Sequence, residues 1–419
     1  MRFVAICLHC LDMRDFHSRL RDTPFLDRLR AESVFIPAGR AQGHHQLDSL
    51  NAELTGIWTA RHCGSTFRHN GYRGGQEFWL PRTLPEAMSE GGFDLVTRIA
   101  QDGEDRLGTQ AAGAMQKLWL ADQPERLEQF AAPRPMDLDE WIAEIRSSEH
   151  CYAHVFLRPT HRPWGDPKGL YALVGEVAPD EGWGYPYDAS CARRAALQDP
   201  SGFAAHRRAG LAKADRLVER IVAGTRDLGD VTYLVYSNHG EVFDHFRYHL
   251  PFPDDGDGMI RGTSHGPFPY EVLYANMQMW LIPGREPRVM RGLGRSIDIA
   301  PTALELAGLD PSGLDGESML GQFDAGVFPD RDRYAENPRG GCISMVRADG
   351  WKVLSTGPAM DEPPRHATEF HLMAAFDLRS DPLEQINLVD TPQGADALRW
   401  ALERHEQLAQ SRVPAYSAA

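Results

Sequence analysis

The chain has 419 residues, of which 42% are hydrophobic and 25% are charged, proportions that are ordinary for a globular protein. It carries 59 acidic and 44 basic residues, which give a formal net charge of −15. Such a chain repels phosphate backbones and anionic lipid surfaces, so nucleic acids and membranes are not expected among its partners. No run of the sequence reaches the roughly 18 apolar residues that cross a bilayer.

The first apolar segment, residues 3–8, follows the initial methionine with only Arg2 between them. It is short and Asp12 follows it closely, so it predicts a buried first strand and not a signal peptide. The six cysteines are too few in a chain of this length to form a disulfide framework. We therefore expect reduced thiols and a cytoplasmic location.

Hydrophobic periodicity predicts strands that alternate with helices over most of the chain. In chain order, the expected strands are residues 3–8, 34–36, 93–96, 153–157, 231–236 and 279–282, and the expected helices begin at residue 24 and cover residues 47–54, 84–88, 211–223 and 297–307. This alternation predicts an α/β fold with a doubly wound, mostly parallel sheet. In such a fold the functional site lies at the carboxyl ends of the strands.

The pattern changes after residue 325. Three short strand-like segments and a last helix, residues 343–346, 351–354, 375–378 and 393–410, predict a small antiparallel subdomain. We therefore expect an α/β core over residues 1–325 and a carboxy-terminal subdomain over residues 326–419. Two stretches rich in Gly, Pro and Asp, near residues 179–200 and 251–266, are expected to be loops close to the site.

Seven short segments, in the same order along the chain, resemble motifs of the sulfatase family, which is part of the sulfatase/alkaline-phosphatase superfamily. They are residues 23–29 (TPFLDRL, similar to TPNLDRL), 50–56 (similar to a helix end in SLLTG), 83–87 (TLPEA, similar to TLAEAL), 237–241 (SNHGE, similar to SDHGE), 296–302 (SIDIAPT, similar to SLVDLAPT), 314–318 (LDGES, similar to LDGRSL) and 377–388 (similar to DLxxDPxExxNL). Each segment alone is a weak signal, but their common order implies the family's fold.

The chemistry of that family requires residues that this chain lacks. In the family, an oxygen nucleophile on formylglycine, Ser or Thr attacks sulfur or phosphorus, and a divalent metal held by carboxylates stabilises the developing charge. The resemblance puts Gln46 at the nucleophile position and Leu50 at the place of an Arg, while His9 and Cys10 replace a pair of Asp and Asn238 replaces another. A glutamine amide is not a nucleophile. We therefore predict that ordinary arylsulfatase and phosphatase activities are absent.

Histidines occur where the missing groups would be. His239 keeps its place in the family motif, His161 lies in a segment that resembles the family's DPHxPY loop, and His265 precedes a segment that resembles LYEE. The resemblance thus implies a metal site of His9, Asn238, His239 and His265, with His161 and His265 as catalytic candidates. A cluster of imidazoles favours transition ions of the Zn, Fe or Mn type over Mg²⁺ or Ca²⁺.

Several residues near this site have two interpretations. Ser49 is either part of the first turn of a helix or a displaced nucleophile. Cys10 is a candidate thiolate ligand, although the run CLHC, residues 7–10, is not a zinc motif. His44 and His45 are either a polar loop or further ligands.

Three functions are compatible with this pattern. The first is a divergent, metal-dependent enzyme that acts on a small anionic ester of the sulfate or phosphate type, or on a related compound. The second is an inactive pseudo-sulfatase that serves as a binding or interaction module. The third, an ordinary sulfatase with a displaced motif, is not supported, because the chain contains no Cys-x-Pro-Ser-Arg and no Thr-x-Pro-Ser segment.

Overall fold

The computed structural model describes residues 1–11, 23–43, 46–61, 81–99, 106–107, 136–161, 164, 166–176, 187–241, 270–337, 342–356 and 372–411. Its strands are β1 (Arg2–Leu8), β2 (Val34–Arg40), β3 (Asp94–Ile99), β4 (Arg106–Leu107), β5 (Met136–Asp137), β6 (Cys151–Leu157), β7 (Val231–Ser237), β8 (Ala275–Leu281), β9 (Arg288–Val289), β10 (Gly294–Arg295), β11 (Arg333–Asn337), β12 (Cys342–Val346), β13 (Trp351–Thr356) and β14 (Leu372–Asp377). Its α-helices are α1 (Pro24–Ala31), α2 (Gln46–Thr55), α3 (Leu84–Glu90), α4 (Leu138–Ser147), α5 (Pro167–Ala172), α6 (Tyr187–Gln198), α7 (Pro200–Thr225), α8 (Glu271–Tyr274), α9 (Ile299–Leu306), α10 (Leu320–Ala325) and α11 (Pro392–Gln410).

The central sheet has eight strands in the described part of the chain, in the order β10-β2-β8-β7-β1-β6-β3, with β9 also paired to β2. Strand β1 is parallel to both of its neighbours, β6 and β7. Strand β8 alone among them runs antiparallel to the strands beside it, β7 and β2. Every side chain of β6 and β7 is buried, as expected for strands covered on both faces. The mostly parallel, doubly wound sheet that the sequence predicted is therefore confirmed.

Helices cover both faces of this sheet. On one face, α2, α3 and α9 bury side chains such as Leu50, Met88 and Ile299 against the strands. On the other face, α1, α4 and α7 do the same with side chains such as Leu26 and Trp141. Because both faces are closed by helices, a ligand reaches the sheet only at an edge or at the strand ends. No helix among the described residues is long and apolar enough to cross a membrane.

The sequence predicted a loop near residues 179–200, but part of this stretch is helical. Residues Tyr187–Gln198 form the helix α6. Its Cys191, Ala192 and Ala195 are buried and pack in a small apolar cluster with Trp164 and Phe203. The Gly and Pro residues that suggested a loop precede this helix, and its Ala and Arg residues are good helix formers. The second expected loop, residues 251–266, lies outside the described residues.

The small sheet is antiparallel, in the order β11-β12-β13-β14, and this confirms the second part of the predicted fold class. Four buried or nearly buried charged groups connect it to the central part of the chain. Lys352 on β13 lies with its Nζ atom 2.9 Å from a carboxylate oxygen of Glu271 and 2.5 Å from one of Glu384. Arg40, at the end of β2, makes a two-pronged ion pair with the same Glu271. This ion cluster fixes the small sheet against the ends of β2 and α8.

Candidate metal centre

The site begins where two adjacent parallel strands end. Leu8 of β1 is paired with Ser237 of β7, so the residues that follow, His9 and Asn238, emerge side by side at the carboxyl edge. The backbone N–H and the backbone carbonyl of His9 are both hydrogen-bonded. Its N–H donates to the Leu157 carbonyl at 2.9 Å, and its carbonyl accepts from the Thr160 hydroxyl at 2.6 Å. The backbone at this edge is therefore fixed by β6 as well as by β7.

Asn238 links the two strand ends through its side chain. The Cys10 N–H donates to Asn238 Oδ1 at 3.1 Å, and His9 Nδ1 lies 3.3 Å from the same oxygen. Because a backbone N–H only donates, this contact fixes which end of the amide is oxygen. The Nδ2 atom of Asn238 is buried without a hydrogen-bond partner among the described residues. The oxygen is thus committed to positioning its neighbours, whereas the NH₂ group offers a buried donor to a ligand.

His9, Cys10 and His239 form one buried group of nitrogen and sulfur donors. Each offers a ligand atom, and these atoms lie within 4.8 Å of one another. Cys10 Sγ is 3.4 Å from His239 Nε2 and 3.4 Å from both ring nitrogens of His9. The rings of His9 and His239 are perpendicular, with centroids 5.2 Å apart. This is the one group of His, Cys and carboxylate side chains in the described ranges whose spacing suits a metal ion.

The hydrogen bonds of the two imidazoles fix their tautomers. His239 Nδ1 donates to the Gly240 carbonyl at 2.8 Å, so the neutral ring keeps its lone pair on Nε2, the atom that faces Cys10. His9 Nδ1 faces the oxygen of Asn238, which only accepts, and so Nε2 is the acceptor of this ring as well. A hydrogen bond from the second ring nitrogen is the usual arrangement of a histidine that ligates metal.

His161 adds a third imidazole at the rim of the group. Its ring stacks on that of His9, with centroids 4.4 Å apart and an angle of 11° between the planes. It is more exposed than His9 or His239, both of which are buried. The guanidinium of Arg158 lies with Nη2 3.4 Å from His161 Nδ1. Since a guanidinium only donates, the neutral His161 ring carries its proton on Nε2.

The donor set does not suit the hard cation that the sulfatase resemblance implies. Mg²⁺ and Ca²⁺ take oxygen ligands, and no carboxylate belongs to the His9, Cys10 and His239 group. Two imidazoles and a thiol suit borderline or soft transition ions.

The remaining predicted residues are placed only in part. Ser49 is buried in α2, where its hydroxyl donates to the Gly43 carbonyl at 2.7 Å, which favours the structural interpretation. Gln46 is the first residue of α2, but its side chain lies outside what is described. His44, His45 and His265 lie outside the described residues.

Below the site, the sequence analysis missed a buried polar group between α2 and the sheet. Glu53 of α2 is fully buried, and burial raises the pKa of its carboxyl well above the ordinary value, with contact to Tyr236 partly offsetting this. The Tyr236 hydroxyl is 3.2 Å from Nε2 of His154, and burial lowers the pKa of His154 to about 4. Burial therefore favours the neutral form of both ionisable groups. The signal that could have revealed Glu53 was an acidic residue between Leu50 and Leu54 on an apolar helix face.

The chain is similar to solved structures over nearly its whole length. One is a protein in complex with its substrate, D-glucosamine-2-N,6-O-disulfate, with a TM-score of 0.64, 13% identity and 98% of each chain covered. A phosphonate monoester hydrolase from Silicibacter pomeroyi has a TM-score of 0.62 and 15% identity, with 98% of this chain and 95% of that chain covered. A 2-O GAG sulfatase has a TM-score of 0.62 and 14% identity, with 99% of this chain and 95% of that chain covered.

No family model and no curated protein sequence matches the chain. Identities of this size establish the fold alone. Together with the two sheets described above, they show that the chain has the fold of the sulfatase/alkaline-phosphatase superfamily, as the seven motif resemblances predicted.

Proposed function

We propose that the protein is a metal-dependent enzyme that acts on a small anionic ester of the sulfate, phosphate or phosphonate type. The observation that carries this proposal is the convergence of His9, Cys10, His161 and His239 at the carboxyl edge of the central sheet. One protein of similar fold is bound to a disulfated glucosamine, and another is a phosphonate monoester hydrolase. These neighbours motivate the substrate class proposed for this chain.

The charge of the site supports an anionic substrate. Arg158 brings a permanent positive charge next to His161, and the donor group of His9, Cys10 and His239 includes no carboxylate. The buried NH₂ group of Asn238 lacks an acceptor among the described residues, and an ester oxygen would supply one. Arg158 and the Asn238 amide thus offer a positive charge and a hydrogen-bond donor to an anion at this edge of the sheet.

In this proposal, some residues of the site bind the metal ion and others act on the substrate. His9, Cys10 and His239 would hold a transition ion, which supplies Lewis-acid polarisation of a substrate oxygen when bound. His161 is stacked at the more exposed side, and its Nε2–H suits it to donate a hydrogen bond to the charge that develops on the leaving oxygen. Asn238 orients Cys10 and His9. With Gln46 at the family's nucleophile position, the attacking group in this proposal is water and not a side chain.

Metal analysis of the purified protein is the first test. We expect close to one transition ion per chain, with a large loss in His239→Ala and none in His150→Ala. His150 is the matched control, because it precedes the other end of β6 and is equally part of the sheet edge. Turnover is then measured with a sulfated monosaccharide, a phosphonate monoester, an aryl sulfate and an aryl phosphate.

Turnover of the sulfated sugar or the phosphonate ester, abolished by chelation and reduced at least about 100-fold in His161→Gln, is the expected result. Rapid turnover of the plain aryl esters that disappears in Gln46→Ala would show that Gln46 does not block the usual chemistry. A metal-free protein without turnover of any ester would leave the second candidate, an inactive pseudo-sulfatase that binds a partner or ligand.

A further inference from the structure

Cys10 has an unusual backbone conformation that the fold holds in place. Its φ angle is 58°, in the left-handed region that non-glycine residues rarely adopt. Such a conformation is strained and persists where the surroundings enforce it, often at functional sites. Here the Cys10 N–H is held by Asn238 Oδ1, which comes from the neighbouring strand end. The strain is thus linked to the placement of one side chain.

The positions of the donors around Cys10 fit a shared ion. In a tetrahedral zinc site, with Zn–S near 2.3 Å and Zn–N near 2.0–2.1 Å, sulfur and nitrogen ligands lie ~3.6 Å apart. Cys10 Sγ lies 3.4 Å from His239 Nε2 and 3.4 Å from His9 Nε2. Both of these nitrogens are the acceptor atoms of their rings, because each Nδ1 faces an oxygen. The two sulfur–nitrogen separations therefore already match those around one small ion, and the three ligand atoms lie within 4.8 Å of one another.

We propose that Cys10 is a thiolate ligand and that, with His9 and His239, it forms a three-residue N₂S site for a thiophilic ion of the Zn²⁺ or Co²⁺ type. The sulfur–metal bond forms as the thiol proton leaves to solvent. This inference rests on the metal dependence proposed above and specifies the ion: Mg²⁺ and Ca²⁺ are rejected, because a thiolate and imidazoles are poor ligands for hard cations. Three protein ligands in a tetrahedron leave one position for a substrate or water.

A structural alternative explains the same contacts without metal. The Cys10 thiol would donate a weak hydrogen bond to His239 Nε2, and the three side chains would be a packed polar group. In that case, replacement of the sulfur changes stability and nothing else. A direct spectroscopic signature of a sulfur–metal bond distinguishes the two.

The experiment uses the full chain, stripped of metal and titrated with Co²⁺. A thiolate bound to Co²⁺ gives a near-ultraviolet charge-transfer absorption, and tetrahedral coordination gives intense visible bands. The test variant is Cys10→Gly, because glycine adopts φ near 58° without strain and removes only the side chain. The matched control is Cys191→Ala, which removes another buried thiol that is not part of a disulfide, in a different part of the chain.

We expect saturation at one Co²⁺ per chain in the wild type and in Cys191→Ala, with the charge-transfer band present. Cys10→Gly should fold, as judged by an unchanged or higher melting temperature of the metal-free protein, lack the band and bind Co²⁺ at least about tenfold more weakly. Added Zn²⁺ should abolish the bands, and an excess of Mg²⁺ or Ca²⁺ should leave them unchanged.

A charge-transfer band that persists in Cys10→Gly, or a wild type that binds Co²⁺ without the band, overturns the thiolate assignment. These outcomes separate the inference from the proposed function. A wild type with the band and no ester turnover retains the N₂S site and loses the catalytic proposal. Ester turnover that depends on a metal, without any thiolate band, retains the catalytic proposal and overturns the N₂S site.

Discussion

Asn238 has a larger structural role than its position in a motif suggests. Its single oxygen accepts the Cys10 N–H and faces His9 Nδ1. Replacement of Asn238 by Leu leaves the Cys10 N–H buried without an acceptor, which costs about 1–3 kcal/mol. We expect the free energy of unfolding of the metal-free protein to fall by that amount in denaturant titrations, and Co²⁺ affinity to fall about 10–100-fold, as for other residues that orient ligands.

Asn238→Asp is the matched variant, because it keeps an oxygen acceptor in the same place. It should retain most of the stability that Asn238→Leu loses. Equal stability of the wild type and Asn238→Leu would mean that the Cys10 backbone does not depend on this contact.

Glu53 should make the stability of the protein depend on pH. Burial raises the pKa of its carboxyl in the folded protein. As the pH rises past the ordinary pKa of a glutamate, the carboxyl ionises in the unfolded chain before it does so in the folded one, so the unfolded state is favoured progressively. Glu53→Gln keeps the shape and removes the ionisation. We expect this variant to be more stable than the wild type at pH 7.5, because it has no ionised form that favours the unfolded state.

The advantage of Glu53→Gln should shrink as the pH is lowered and vanish below the ordinary glutamate pKa of about 4.3, where the carboxyl becomes protonated in both the folded and the unfolded state. Thermal melting across this range measures it. Glu305→Gln, on the more exposed side of α9, is the control and should show no such trend. A pH-independent difference for Glu53→Gln would mean that the carboxyl is ionised in the folded state.

At the level of residues, the sequence predicted the site residues at strand ends but not the buried polar residues between helix α2 and the sheet. His9 and His239 were predicted to approach each other because each follows a recognisable strand, and parallel neighbours end at one edge. Glu53 and His154 were not identified, since Glu53 reaches Tyr236, which contacts His154, only when α2 docks on the sheet. The assignment of ligand roles to His9, Asn238, His239 and His265 stays a prediction, as does the catalytic role of His161.

At the level of elements, the end of α2 depends on a glycine with a packed environment. Gly56 has φ +66°, and a Cβ atom there would lie 2.9 Å from Leu314 Cδ1. The Gly56 carbonyl also accepts the N–H groups of Asp315 and Gly316 at 2.8 and 2.9 Å. This pair of bonds joins two of the segments that resembled sulfatase motifs, residues 50–56 and 314–318.

Gly56→Ala should therefore cost more than an ordinary left-handed glycine. Gly308, at the end of α9, has φ +71° with nothing within 4 Å of an added Cβ, so Gly308→Ala carries only the conformational cost of about 1–2 kcal/mol. We expect Gly56→Ala to lose at least about 1 kcal/mol more in denaturant unfolding, because the Leu314 contact is added. Equal losses would mean that the 314–318 segment moves away without cost.

The elements were predicted well where periodicity was strong. Strands β1, β6 and β7 and the last helix were located within a few residues of their observed ends. Helix α4 was not identified, although it carries a capping box in which the Asp137 side chain accepts the Glu140 N–H. Helix α6 was mistaken for a loop because the Gly and Pro residues before it outweighed its own composition. Local propensity alone did not indicate that its Cys191 and Ala192 face a small apolar cluster.

At the level of the whole molecule, the ion cluster under the small sheet should be sensitive to the loss of one partner. Although burial opposes ionisation, Arg40 and Lys352 hold the pKa of Glu271 well below its usual range. Burial raises the pKa of Glu384 despite its contact with Lys352. Lys352→Met removes a fully buried cation and leaves both carboxyl groups poorly compensated, and breaking such a buried pair costs about 3–5 kcal/mol.

The double variant Lys352→Met/Glu384→Gln removes one carboxylate with the cation and should recover a large part of this loss. Denaturant titrations of the two variants and the wild type measure these differences in the free energy of unfolding. Since Glu271 has a lowered pKa, its contribution is present above the unfolded-state pKa and is lost as the pH falls below it. The difference between the wild type and Lys352→Met should therefore narrow in acid. A single variant as stable as the wild type would mean that the cluster contributes nothing to the docking of the small sheet.

The overall architecture was predictable because it follows from the alternation of strands and helices and from seven ordered motifs. The antiparallel direction of β8 within the parallel sheet was not, since strand direction depends on the path of the chain between strands. The domain boundary near residue 325 stays a prediction. A chain that ended there would lack Lys352, so Arg40 and Glu271 would be exposed without this partner of the ion cluster.

The sequence distance between the two halves of the candidate centre has a consequence for biosynthesis. His9 and Cys10 are separated from Asn238 and His239 by 229 positions. The first pair therefore emerges from the ribosome long before the second, and the early nascent chain contains only His9 and Cys10 of the candidate centre. The proposed ion, which needs all three donors, would be acquired only after β7 has been inserted beside β1, so its loading would be a late step of maturation. Its binding energy then favours the completed fold over every earlier intermediate.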